Sequence, residues 1–282
     1  MSPNQRPDIA LVISDVDGTL VTPDKALTPA AIAAVRRLSD ARIGFTLISS
    51  RPPRGMVSLV TQLDVRLPFG GFNGGSLVAP DLSLVEAHRL APEVARETIA
   101  LLAKRGVDAW VFARGDWLLR DPEGTNVPRE KHTVGFDPKA VDDFETVIGC
   151  IDKIVGVSND VALLAGVELE ARASMDDKAA IILSQPFYLD VTHSRANKGD
   201  GVSALCDHIG VDLSRTAVIG DMLNDVAMFA RASYSIAMGQ SPDAVKQRSD
   251  AVTSSNTEDG FAHAVDRFIL SPAPLKAGAD LQ

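Results

Sequence analysis

Four aspartates stand in two tight groups far apart in the chain. Asp15 and Asp17 lie in Asp-Val-Asp-Gly-Thr, and Asp221 and Asp225 in Gly-Asp-Met-Leu-Asn-Asp. Each group follows a short apolar run, residues 9–13 and 216–219, of the kind that forms a strand buried on both faces. Ligands of open parallel sheets bind at the carboxyl ends of the strands, so the two groups are expected to converge in one cleft. Packed carboxylates repel one another, and a divalent cation removes that conflict. Magnesium suits such a place because it takes a few carboxylate oxygens and keeps the rest of its shell for water and phosphate. Ser49, Asn73 and Asn224 add donors after strands, and Lys198 adds a cation at the start of a helix. Gly18, Gly74 and Gly75 permit close backbone approach. Acid, metal, cation and hydroxyl together are the parts needed for phosphoryl transfer.

Taken one at a time, these residues say little. An aspartate at a strand end commonly forms a turn, Asn73-Gly74 is a turn signal, and a lone lysine is usually a solvated one. His193 and Arg195 read as solvated loop residues, and the Trp110/Trp117 pair as packing. The joint order and spacing carry the chemistry.

The elements that must position these residues read as alternating strands and helices at both ends of the chain. Strands are expected over 9–13, 43–48, 69–72, 216–219 and 234–237. Helices are expected over 30–41, 55–63, 199–209, 242–248 and 259–270, the first opened by Thr28-Pro29 as cap and first turn. Strand–helix–strand alternation implies right-handed crossovers and a parallel α/β sheet. Between residues 80 and 191 the pattern changes to that of a separate α+β module. It has a hairpin over 76–85, helices over 92–104, 138–148 and 160–171, strands over 108–113, 117–120, 153–157, 180–184 and 187–192, and a loop over 122–138. The core is thus expected to be discontinuous, 1–79 and 192–282, with a disordered tail from 271.

The bulk composition agrees with such a protein. The 282 residues are 45% hydrophobic and 23% charged, with a formal net charge of −9. That balance opposes nonspecific binding to nucleic acid or anionic membranes. No apolar stretch reaches the length of a membrane span or a signal-peptide core. Cys150 and Cys206 match no metal-ligand or CxxC spacing, so a reducing, cytoplasmic setting is expected.

The ordered set of motifs resembles the haloacid dehalogenase superfamily, in particular its Cof-type, C2-capped phosphatases. Asp15-Val-Asp17-Gly-Thr19-Leu20 resembles the first motif, and Ser49-Ser50-Arg51 stands where those proteins usually carry Thr-Gly-Arg. Asn73-Gly74, Asn197-Lys198-Gly199, the 220–225 segment and Asn256-Thr-Glu-Asp-Gly260 match their remaining signatures. The resemblance implies a Rossmann-like core with an inserted α+β cap. It implies that Asp15 attacks phosphorus to form an aspartyl-phosphate, and that Asp17 serves as general acid and then base. Asp15, the Asp17 carbonyl and Asp221 would hold magnesium, with Asp225 in support. Ser49, Lys198 and Asn224 would bind the phosphoryl oxygens, flanked by Arg51, Asn73 and Gly74. Ser50, in place of the usual glycine, adds a Cβ near the phosphate loop and bears on substrate fit.

Under this reading the insert excludes bulk water and presents the specificity surface, with segments 124–128 and 185–187 facing the cleft. The expected substrate is a small phosphorylated metabolite, such as a sugar phosphate, a nucleotide or a phosphorylated cofactor. The protein would act as a monomer or homodimer. A phosphomutase of the same superfamily is the alternative within the enzyme class, and it would need a bisphosphate activator. A receiver-like signalling module would share the acidic pocket but lacks both the second aspartate and the insert.

Overall fold

The computed structural model describes residues 8–175 and 177–270. The expected tail from 271 lies outside them. The described residues divide into two compact units, one of 8–48, 59–67 and 202–270, the other of 49–58, 68–175 and 177–201.

The first unit is built on a five-stranded sheet, ordered Ala251–Val252, Tyr234–Ala237, Thr216–Gly220, Leu11–Ser14, Gly44–Leu47, with every pair parallel. Leu11–Ser14 and Thr216–Gly220 are buried along their whole length, which is why they read as unbroken apolar runs. Their register pairs Ser14 with Ile219, and the Asp15 N–H donates to the Ile219 carbonyl at 2.9 Å. The two acidic loops therefore leave the sheet side by side. Helix Pro29–Asp40 starts as expected: the Thr28 hydroxyl accepts from the Ala31 N–H, and proline occupies the first turn. It buries Ala31, Ala34, Val35 and Leu38 at helical spacing. The last expected helix proves composite, an α-turn over Gly260–Ala264 passing into a π-helical stretch over Val265–Leu270.

The second unit holds a six-stranded sheet ordered Ala179–Gln185, Tyr188–His193, Ile151–Val157, Asp108–Ala113, Asp116–Leu119, Lys139–Ala140, antiparallel except for its last pair. Period-two alternation gives it two apolar faces. Val111, Ile154, Leu189 and Val191 join a core with Val94 and Leu102 of helix Pro92–Lys104 and Leu164 and Val167 of helix Val161–Met175. Trp110, Phe112, Trp117, Val155 and Tyr188 form a second, aromatic core with Val127, Val134 and Phe72. A three-stranded antiparallel sheet, Phe69–Gly71, Ser76–Val78 and Leu84–Ala87, completes the unit.

Four expectations are corrected. The segment expected to be a loop over 122–138 contains helix Val127–Val134, with proline in its first turn and Gly135 in the left-handed conformation at its end. The helix expected over 138–148 is absent. Lys139–Ala140 instead adds an edge strand, continued by Val141 N–H donating to the Leu119 carbonyl, and a 3-10 turn spans Glu145–Cys150. Phe69–Gly71 pairs antiparallel with Ser76–Val78 and does not extend the parallel sheet. His193 ends a strand and stacks on His88 at 5.4 Å, so it is no solvated loop residue.

Candidate active site

In the first unit Asp15, Asp221 and Asp225 converge: each offers a carboxylate oxygen, and these atoms all lie within 4.8 Å of one another. All three side chains are buried, at 4%, 7% and 0% exposure. Burial deprives like charges of solvent screening, so the cluster calls for a compensating positive charge. Hard oxygen donors in this number fit a small divalent cation. The Thr19 hydroxyl donates to Asp221 at 3.2 Å and holds that carboxylate in place.

Asp225 has a second duty. One of its oxygens accepts from the N–H groups of both Asp221 and Met222, each at 2.8 Å. It braces the loop that carries Asp221. Gly18 has φ +81°, and a Cβ there would overlap the Asp221 carboxylate, so only glycine lets the two acidic loops approach.

The Asp17 carboxylate accepts from the Lys25 ammonium at 2.7 Å. Lys25 carried no signal in the sequence, because its position depends on the left-handed turn (φ 62°) that it occupies itself. Asn224 stands exposed in the 3-10 turn Leu223–Asp225.

The other expected residues gather in the second unit. The Ser49 carbonyl accepts from the Asn73 N–H at 2.7 Å, the Ser49 N–H donates to the Gly70 carbonyl, and the Ser49 hydroxyl accepts from the Arg51 N–H. Phe72, Asn73 and Gly74 are consecutive left-handed residues, with φ of 51°, 58° and 87°. That conformation is costly for a phenylalanine, and such strain concentrates at functional loops. A Cβ on Gly74 would meet the Gly201 Cα and the Asn197 carbonyl, so this turn packs directly on the start of helix Lys198–Ile209. Lys198 is 2% exposed, against the expectation for a lone lysine. Ser50, the departure from the usual glycine, is exposed. Segments 124–128 and 185–187 are neighbours through Arg129, whose guanidinium lies 4.6 Å over the Phe187 ring.

Comparison with known proteins follows the same lines. The profile of the haloacid dehalogenase-like hydrolases matches residues 12–265. A provisionally named phosphatase of Haemophilus influenzae is 28% identical over 257 residues, spanning 89% of this chain and 95% of that one. The 5-amino-6-(5-phospho-D-ribitylamino)uracil phosphatase YcsE of Bacillus subtilis is 25% identical over 264 residues, spanning 93% of this chain and 97% of its own length. Among solved structures, a haloacid dehalogenase-like hydrolase from Bacteroides thetaiotaomicron superposes with a TM-score of 0.87 at 24% identity, over 93% of this chain and all of that one. The HAD subclass IIB sugar phosphatase BT4131 gives 0.79 at 21% identity, over 92% and 98%. A profile that spans the whole motif series and relatives matched along nearly their full length leave one assignment: the chain belongs to the haloacid dehalogenase-like hydrolases.

Proposed function

We propose that the protein hydrolyses a small phosphomonoester, with magnesium, through an aspartyl-phosphate on Asp15. The observation that carries this reading is the convergence of Asp15, Asp221 and Asp225 within 4.8 Å in a buried place. Asp15, the Asp17 carbonyl and Asp221 would hold the ion, and Asp225 would keep the Asp221 loop in shape. The cation would offset the charge of the carboxylates and of the phosphate, letting two anions approach.

The Asp15 carboxylate attacks phosphorus, and the ester oxygen leaves with a proton from Asp17. The same Asp17 then takes a proton from the water that opens the acyl-phosphate. Ser49, Lys198 and Asn224 bind the phosphoryl oxygens in this scheme, with Arg51, Asn73 and Gly74 shaping the loop around Ser49. Lys198, buried at the start of helix Lys198–Ile209, would supply the positive charge for a phosphoryl oxygen in this scheme. The inserted module, residues 80–191, serves as the cap and supplies specificity, and its substrate is a phosphorylated metabolite such as a sugar phosphate. Action in the cytoplasm, as a monomer or homodimer, belongs to the same proposal. Among the described residues no helix is long and apolar enough to cross a membrane.

The test is phosphate release from a panel of phosphomonoesters, with magnesium or with chelator, for wild type and Asp15→Asn. Release that needs both Asp15 and magnesium is expected. Full activity in the variant, or indifference to chelator, would refute the mechanism.

A further inference from the structure

The segment Asn256–Gly260 takes no part in the reaction scheme, yet it fastens the loop that follows Asp17. The Asn256 side-chain amide donates to the Val21 carbonyl at 2.9 Å. Asp259 accepts from the Thr28 hydroxyl at 2.7 Å, where Thr28 caps helix Pro29–Asp40. Lys25, whose ammonium meets Asp17, lies between these two ties. Gln240 supplies a third. Its amide nitrogen donates to the Gly18 carbonyl, and its oxygen accepts from the Asn256 N–H at 3.1 Å. Both partners are backbone groups, one an acceptor and one a donor, so the side chain fits in one orientation only.

The ties come from a firm base. The Gly239 N–H donates to the Ser254 carbonyl at 3.0 Å, beside the Gln240–Asn256 bond. The Met238 N–H donates to the Gly220 carbonyl and the Thr253 N–H to the Ala237 carbonyl, each at 3.0 Å. Both loops therefore continue from the parallel sheet at the edge where the acids stand. A Cβ on Gly260 would lie 2.1 Å from the Ser254 carbonyl oxygen, and Asp259 is left-handed at φ 53°. Such a conformation persists only where its surroundings over-determine it. The turn that these loops hold is tight. The Val16 carbonyl accepts from the Leu20 and Val21 N–H groups at 3.0 and 3.1 Å, and Asp17 bridges to Val21. Ties at Gly18 and Val21 thus fix the first residue after Asp17 and the end of the turn. All of these residues belong to the first unit.

We infer that Gln240 and Asn256 are positioning residues for the phosphatase reaction, holding the turn so that Asp17 meets the leaving oxygen. The inference rests on the phosphatase reading above and deepens it. Gln240 is exposed and Asn256 half-buried, and hydrogen bonds in such places add little to overall stability. Proton transfer is more demanding, because donor and acceptor atoms must come within about 2.6–3.2 Å of each other. A misplacement of about 1 Å costs about a hundredfold. A purely structural role would lower the Tm and spare the chemistry, and a positioning role does the reverse.

The experiment measures kcat and KM for wild type, Gln240→Ala and Asn256→Ala on two esters, p-nitrophenyl phosphate and the alkyl phosphate that wild type hydrolyses fastest. Each variant is expected to lose about three- to tenfold in kcat on the alkyl ester, with KM within about twofold. On p-nitrophenyl phosphate, whose leaving group departs as an anion, the loss should stay below about twofold. In an Asp17→Asn background, Gln240→Ala should cost less than about twofold on either ester, because both act through one residue. In metal-free protein, amide exchange over residues 16–22 should quicken at least about threefold in each variant, while the Tm moves by less than about 3 °C. An alkyl-ester kcat unchanged within about twofold in both variants overturns the inference. So does an equal loss on both esters, full additivity with Asp17→Asn, or exchange that does not quicken. If wild type hydrolyses both esters in that case, only the positioning role falls. If wild type releases no phosphate from any alkyl ester, the phosphatase reading falls and takes this inference with it.

Discussion

The Lys25 ammonium lies 2.7 Å from the Asp17 carboxylate, so the residue assigned as general acid and base is held by a cation from its own loop. The side chains are 34% and 27% exposed, and solvent screens much of the attraction. Lys25→Met is expected to lower kcat about two- to fivefold with little change in KM, as for a pair worth at most about 1 kcal/mol. An unchanged kcat would show that the pair does not position Asp17.

Asp17→Asn removes the proton donor itself. The loss should be about a hundredfold or more for an alkyl phosphate, whose leaving oxygen needs a proton. It should be much smaller for p-nitrophenyl phosphate, whose leaving group departs as an anion. Equal losses on both esters would contradict an acid role.

The buried acidic cluster predicts a linkage between metal and stability. Saturating magnesium is expected to raise the Tm of wild type by about 5 °C, as for an ion at roughly a hundred times its Kd. Asp221→Asn should lose most of that rise. In chelator the same variant should melt no lower than wild type, because one of three repelling carboxylates is gone. A metal-induced shift of full size in Asp221→Asn would rule out this cluster as the ion's site.

Gly18→Ala forces a Cβ toward the Asp221 carboxylate at a left-handed position. A cost of about 1–3 kcal/mol is expected, read as a lower Tm together with loss of the magnesium-induced shift. A variant as stable and as metal-responsive as wild type would show that the loops can separate.

His193 supplies a pH dependence. Burial, then the neighbouring His88 and Arg195, lower its proton affinity. A lowered value favours the neutral ring in the folded state. The stabilisation is therefore present above the unfolded value of about 6.5 and is lost as pH falls through the folded value. The Tm should fall between pH 7 and 5, and His193→Phe, which keeps a ring against His88, should flatten that fall. Parallel slopes in the two proteins would exclude His193 as a source.

The order of the motifs was legible in the chain because it depends on local rules. Leu11–Ser14 and Thr216–Gly220 are buried on both faces, so they had to be continuous apolar runs, and the acids had to follow their carboxyl ends. The helix Pro29–Asp40 was legible from its cap and its spacing. Residues 122–148 were not. Helix Val127–Val134 is short and charged, and its sequence resembles a loop until Val127 and Val134 find the aromatic core. Val141, Phe144 and Val147 mimic helical spacing, but an open sheet edge at Leu118 and Leu119 captured Lys139–Ala140 first. Only the tertiary structure could decide that carboxylate oxygens of Asp15 and of Asp221 and Asp225, some two hundred residues further on, lie within 4.8 Å, and that Lys25 turns onto Asp17. Spacing along a chain specifies which face a side chain takes within its own element. What stands opposite that face depends on register and packing between elements, which no local pattern contains.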